Sequence, residues 1–300
     1  MTGIFDSGCG GLSVMKEMLK ALPGESYVYY SDNAHCPYGE KTPEYILERG
    51  RAITRLLMDK GCDLIVVACN TATAAAIAGL RQEFPGIPFV GMEPAIKPAA
   101  AATRSGVVGV LATFGTLGAE KYHSTRDRYA EGVKVVEQVG KGFVELVEKG
   151  CLEGQEAENV VMESVRPLVE AGADTLVLGC THYPFLAPVI LKVAKGLRPG
   201  TEFTLIDPAP AVARRFVQLR KERDGVSVQP ASAGQETASQ CVSAGREAAS
   251  QCASAGQEAA SQCASAGREA AERPAATPKV ELLSSGDDTA LRRLYAIILS

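Results

Sequence analysis

Residues Asp63–Thr73 read DLIVVACNTAT. Leu64 to Ala68 form an unbroken apolar run that ends at Cys69, with Asn70, Thr71 and Thr73 next and the alanine-rich Ala74–Leu80 beyond. An apolar, β-branched run that stops at small polar residues and gives way to a helical stretch reads as a buried parallel strand feeding a helix. Ligands of open α/β sheets sit at the carboxyl ends of such strands. Cys69 therefore stands where a ligand would be, with Asn70, Thr71 and Thr73 offering hydrogen bonds around it.

The pattern occurs twice. Gly61–Ala72 (GCDLIVVACNTA) and Gly172–Tyr183 (GADTLVLGCTHY) align so that Gly61, Asp63 and Cys69 match Gly172, Asp174 and Cys180. One cysteine at a strand end reads as a buried structural thiol, since free cysteine is among the most buried residue types. Two at matched strand ends, each followed by a threonine-bearing turn, read instead as two walls of one cleft between similar α/β units.

Outward from these strands, the chain predicts strand–turn–helix units. Gly3–Phe5 is a strand, Asp6–Gly11 (DSGCGG) a glycine turn, and Leu12 onward a helix. The turn is not GxGxxG, and Asp6 would repel a phosphate. The carboxylate suits proton handling or an ammonium group, or simply caps the helix. Asn33–Gly39 (NAHCPYG) is a loop whose Tyr38 and Gly39 could meet a small carboxylate. Gly91–Ala99, with two prolines, reads as a crossing into a second unit. There Ala112–Thr116 parallels the layout of Gly3–Gly8 and adds Thr113 to the expected substrate-facing set. Phe143–Lys149 reads as a helix carrying Glu148.

The expected fold is α/β: two pseudo-symmetric domains, each a small, mainly parallel sheet flanked by helices, with the active site between them. Domain A spans 1–93, 206–225 and 279–300; domain B spans 94–205. Between 226 and 278 an 11-residue repeat of the type SAGREAASQCA places Ser-Ala-Gly at Ser232, Ser243, Ser254 and Ser265. Its apolar content is mostly alanine and each unit carries a glycine, so little burial offsets the ordering entropy. A flexible insertion is expected.

Net charge is −4 and 46% of residues are hydrophobic. No basic patch points to nucleic acid, and no run of 18 apolar residues to a membrane span. The opening MTGIFDSGCGG lacks the charged and apolar regions of a secretory leader. Nine scattered cysteines, three of them (Cys241, Cys252, Cys263) products of the repeat, fit free thiols in a reducing cytoplasm. No pair has metal-ligand CxxC spacing, and only three histidines (His35, His123, His182) are present. Neither a metal nor a cofactor is expected: there is no nucleotide fingerprint and no marked pyridoxal-phosphate lysine.

Two thiols without a cofactor suit two-base proton transfer. One thiolate removes a proton from a carbon while the opposite thiol delivers one to the other face, inverting that centre. An unperturbed cysteine, with a pKa of about 8.5, is mostly protonated at neutral pH. Asp6 could serve Cys69 as a local proton acceptor, and His182 could serve Cys180. Ser7, Asn70, Thr71, Thr73 and Thr181 are the candidates for stabilising the developing carbanion.

Gly3–Ser13 (GIFDSGCGGLS), Cys36–Gly39 (CPYG), Val67–Thr73 (VACNTAT), Gly91–Ala99 (GMEPAIKPA), Val108–Thr116 (VGVLATFGT) and Leu178–Pro184 (LGCTHYP) together strongly resemble bacterial glutamate racemase. The match runs in order through about Arg223 and resumes near Leu283–Asp288. The resemblance implies cofactor-independent interconversion of L- and D-glutamate, supplying D-glutamate for peptidoglycan, by a homodimer. It implies Cys69 as the base for the D-isomer and Cys180 for the L-isomer, with Asp6, His182 and Glu148 as auxiliary groups. Asp6, Ser7, Tyr38, Gly39, Asn70, Thr71, Thr181 and His182 become substrate contacts. Gly140 and Lys141 stand where the family usually has cysteine-proline. A racemase of aspartate or hydantoins, a decarboxylase, and a non-catalytic binding or inhibitory member are the alternatives.

Overall fold

The computed structural model describes residues 1–225 and 279–299. The repeat at 226–278, expected to be a flexible insertion, lies outside the described residues.

Five parallel strands build the first sheet: β1 (Thr2–Asp6), β2 (Tyr27–Ser31), β3 (Leu64–Val67), β4 (Phe89–Gly91) and β9 (Val280–Ser284), in the order β4-β3-β1-β2-β9. The second has four: β5 (Val107–Ala112), β6 (Lys134–Val139), β7 (Thr175–Gly179) and β8 (Thr204–Ile206), in the order β6-β5-β7-β8, again all parallel. The central strands are buried on both faces, which is why they read as unbroken apolar runs rather than alternating ones.

Side chains alternate across each strand. Ile4, Tyr27, Tyr29, Leu64 and Val66 face α1 (Leu12–Ala21), α10 (Ala209–Arg223) and α11 (Thr289–Leu299), while Phe5, Val28, Ile65 and Val67 face α2 (Pro43–Asp59) and α3 (Asn70–Glu83). In the second sheet Leu111, Leu176 and Leu178 pack on α8 (Gln155–Glu170) and α9 (Ala187–Leu197). Val108, Val110 and Val177 pack on α4 (Ile96–Ala102) and α6 (Glu120–Tyr129). Between the sheets lie two short helices, α5 (Phe114–Leu117) and α7 (Phe143–Lys149).

The duplicated glycine and aspartate have structural jobs. Gly61 and Gly172 both take a left-handed backbone, with φ of 85° and 99°, in the turn from helix to strand. Asp63 binds Arg220 of α10 at 3.0 Å. Asp174 accepts from the amides of Arg104 and Ser105 at 2.9 and 2.7 Å and from Thr103 at 2.7 Å. Each aspartate thus pins a neighbouring segment to the start of its cysteine strand.

The supposed crossing at Gly91–Ala99 turns helical at Ile96, because Pro98 falls in the first turn of α4, where a missing N–H breaks no helical bond. Among the described residues no helix is long and apolar enough to cross a membrane.

Candidate active site

The carboxyl ends of β1, β3 and β5 and of β7 converge on one enclosed cavity. It is lined by Cys69 and Cys180 together with Ser7, Tyr38, Gly39, Asn70, Thr71, Thr113, Thr181 and His182, all anticipated, and by Pro37 and Val144, which were not. Its volume is about 10 Å3, the scale of a single water.

Cys69 closes β3 and caps the start of α3, where its sulfur accepts from the Ala72 amide at 3.4 Å and bonds the Ser7 hydroxyl at 3.8 Å. Burial pushes its thiol well up, and the Asp6 carboxylate adds to the shift. The amide, the hydroxyl and the positive end of a 14-residue helix act the other way, favouring thiolate.

Cys180 has a different partner. Its sulfur is 3.7 Å from Nδ1 of His182, and Nε2 of that ring is 2.8 Å from Oε1 of Glu148. The backbone amide of Cys9 donates to the same carboxylate oxygen at 2.9 Å. Burial alone would raise Glu148, but His182 and the Cys9 amide hold it down at about 2. Burial alone would lower His182, but hydrogen bonds to Cys180, Cys9 and Glu148 outweigh it and hold its pKa well above the ordinary value. A carboxylate–imidazolium pair results, with one ring N–H aimed at the sulfur.

The glycine turn is the seat for that pair. A Cβ on Gly10 would stand 2.4 Å from Nδ1 of His182, and one on Gly8 would stand 2.3 Å from Oε1 of Glu148. Glycine is required there because the imidazole and carboxylate of the other half press against this backbone.

Asp6 braces the glycine turn against the opposite wall. One oxygen accepts from the Gly11 amide at 2.8 Å and from the Thr181 hydroxyl at 3.3 Å, tying the two walls together. The other is buried without a partner, and burial pushes the carboxyl up. Both side-chain polar atoms of Asn70 are likewise buried without a partner. The two atoms of Asn70, which lines the cavity, mark where a polar ligand would bond, whereas Asp6, expected as a substrate contact, stands behind the lining.

The hydroxyls of Thr71 and Thr113 meet at 2.9 Å and both reach Thr116, closing the first half against the second. Gly39 packs on Thr113 across the same seam. Tyr38 is held by its hydroxyl bond to Asp32, which Arg49 grips with two bonds of 2.8 and 2.9 Å.

Thr73 is not brought to the cavity. Its hydroxyl donates to the Val67 carbonyl at 3.2 Å and accepts from the Met92 amide at 3.0 Å, so it locks β3 to the following crossover. Glu148 lies outside the lining and reaches the site through His182. Gly140 makes room for Tyr183, whose hydroxyl bonds the Gly140 carbonyl at 3.3 Å.

A family profile described as Asp/Glu/Hydantoin racemase matches residues 6–216. The chain belongs to the Asp/Glu/hydantoin racemase family. It is 51% identical over 231 residues to the glutamate racemase of Ectopseudomonas mendocina, covering 77% of this chain and 86% of that protein. To the glutamate racemase of Roseiflexus sp. it is 50% identical over 221 residues, covering 74% and 79%. Among solved structures, glutamate racemase isoform RacE1 from Bacillus anthracis superposes with a TM-score of 0.73 at 26% identity, covering 100% of this chain and 93% of that one. The Escherichia coli glutamate racemase in complex with L-glutamate and the activator UDP-MurNAc-ala gives a TM-score of 0.66 at 40% identity, covering 73% and 81%.

Proposed function

We propose that this chain interconverts L- and D-glutamate by two-base proton transfer between Cys69 and Cys180. The observation that carries the reading is that both sulfurs, each ending a parallel strand of a different sheet, line one small enclosed cavity. In the L-to-D direction the Cys180 thiolate takes the Cα proton and the Cys69 thiol gives its proton to the opposite face; the reverse direction exchanges the roles. Each turnover leaves one sulfur with a proton gained and the other with one lost. Exchange with solvent or the reverse reaction restores the starting state.

A Cα–H beside a carboxylate is a very weak acid, so the site must hold the developing negative charge with fixed donors. Asn70, Thr71, Thr181 and Ser7 supply them. His182, held by Glu148, keeps an N–H on the Cys180 sulfur. A space of about 10 Å3 is far too small for an amino acid, so admission requires the Thr71–Thr113 and Gly39–Thr113 seam to part. Domains A and B, in the division given above, would be the two bodies that separate. Supply of D-glutamate for peptidoglycan in the cytoplasm, and assembly as a homodimer, complete the proposal.

Incubation with L-glutamate in deuterated water tests it. D-glutamate carrying deuterium at Cα is expected. Loss of optical rotation without deuterium entry rejects the two-base mechanism, and a panel including aspartate and hydantoins tests the substrate.

A further inference from the structure

One buried thiol beside this site has no part in the proton transfer. Cys9 comes from the glycine turn, and its sulfur, a ring nitrogen of His182 and a carboxylate oxygen of Glu148 all lie within 4.8 Å of one another. Cys9 and His182 are both buried. Nε2 of His182 and Oε1 of Glu148 are already 2.8 Å apart. In a tetrahedral zinc shell, bonds of about 2.0–2.3 Å place neighbouring N, O and S donors roughly 3.3–3.7 Å from each other. Small adjustments of side chains would bring the three donors to that spacing.

A second observation marks the same spot. A Cβ built on Gly8 would lie 2.3 Å from Glu148 Oε1, 3.2 Å from His182 Nε2 and 3.1 Å from the sulfur of Cys36. Carboxylate, imidazole and a further thiol thus crowd the same stretch of glycine backbone. Cys36, on the loop facing the turn, stands outside the three-donor cluster but near it.

The ring geometry separates this cluster from the Cys69–Cys180 pair. Cys180 faces Nδ1, on the other side of the imidazole from Glu148, so an ion at Nε2 does not reach its sulfur. With Nε2 on a metal, Nδ1 keeps its proton and points it at Cys180, the usual outer bond of a metal-bound histidine. Glu148 is the partly exposed member, with 23% of its side chain open to solvent, and offers the way in.

We propose that Cys9, His182 and Glu148, with Cys36 facing them, form a binding site for zinc or a similarly soft divalent cation, and that the bound ion switches the enzyme off. The ion takes the place of the Nε2 proton of His182 and binds the Glu148 carboxylate, and that proton and the displaced thiol protons go to solvent. The ring keeps its N–H on the Cys180 sulfur, but with the ion on Nε2 and Glu148 it can no longer take up or release a proton on its far side, and that is the step the ion blocks. The site stands on the geometry alone; its inhibitory effect rests on the glutamate racemase reading.

Two readouts keep those apart. Cobalt(II) added to the metal-free protein should give a thiolate-to-cobalt charge-transfer absorption at one equivalent, displaced by zinc and removed in both Cys9→Ser and Cys9→Ala. In racemisation assays, each variant normalised to its own metal-free rate, zinc should inhibit the unmodified protein at concentrations at least about tenfold below those needed for either variant, with recovery on chelation. Absence of the cobalt absorption overturns the site. So do an absorption and a zinc sensitivity that are unchanged in both Cys9 variants, which would put the ion on Cys69 and Cys180. Failure of the metal-free protein to racemise glutamate would remove the inhibitory role while the cobalt titration still judges the site.

Discussion

The two cysteine walls solve one problem by different means. Cys69 is served by uncharged groups of its own half: the Ala72 amide and the start of α3 at its own strand–helix junction, and the Ser7 hydroxyl from the end of β1. Cys180 is served by an ion pair, the His182 imidazole wired to Glu148, which in turn hangs on the Cys9 amide of the opposite half. Mirror-image substrates need a base on each face, but nothing requires the bases to be made alike. Dipoles and a hydroxyl on one side are matched by a charged relay on the other.

The largest test of that pairing removes either sulfur. Cys69→Ser and Cys180→Ser should each reduce racemisation about 10^4-fold, the upper range for loss of a positioned proton-transfer group. An effect confined to one cysteine would overturn the proposed two-base mechanism. Next in size is a structural contrast. The Cys69 side leans on the Asp32–Arg49–Tyr38 cluster, and Asp32→Asn, which breaks a largely buried ion pair, should cost about 3 kcal/mol in denaturant unfolding. Burial would raise the Asp32 carboxyl, but Arg49 and Tyr38 hold it below its ordinary value of 3.8. A depressed folded pKa means stability present above pH 3.8 and lost as pH falls through the folded value. The variant should lack that acid-driven step.

His182→Asn should lower kcat/KM about 100-fold and Glu148→Gln about tenfold, the second acting only through the ring. Enantiomers have equal free energies, so the fall in kcat/KM must be the same in both directions. The two walls are told apart by kcat and KM separately, which should split between the L-to-D and D-to-L assays. Ser7→Ala, loss of one neutral hydrogen bond of about 1 kcal/mol, should slow the reaction only about fivefold.

The strand-end cysteines, the parallel sheets and most of the cavity lining were legible because each depends on local pattern: an apolar run, a polar stop, a helix after it. The failure at Thr73 is instructive. In the sequence it reads as a hydrogen-bonding neighbour of Cys69, yet its hydroxyl is spent on the Val67 carbonyl. Glu148 was reached only through family resemblance, since no local signal joins it to residues 139 positions away at Cys9. The glycine turn reads, for its carboxylate, as a proton-handling, ammonium-binding or capping element. Its glycines are there to admit side chains from elsewhere, and a sequence does not record what presses on a missing Cβ. Val144 and Pro37 gave no signal, being apolar walls without chemistry.

The pairing of β2 with β9, Tyr27 opposite Val280, shapes how the molecule is assembled. More than 200 residues must be looped out before that edge strand docks, and long closures are entropically slow and delay folding. Ser284 then bonds Asn33 at 2.7 Å, beside the loop that carries Tyr38. On refolding from denaturant, helical signal should therefore return ahead of catalysis, the last strand to arrive being the one that braces the mouth of the cavity.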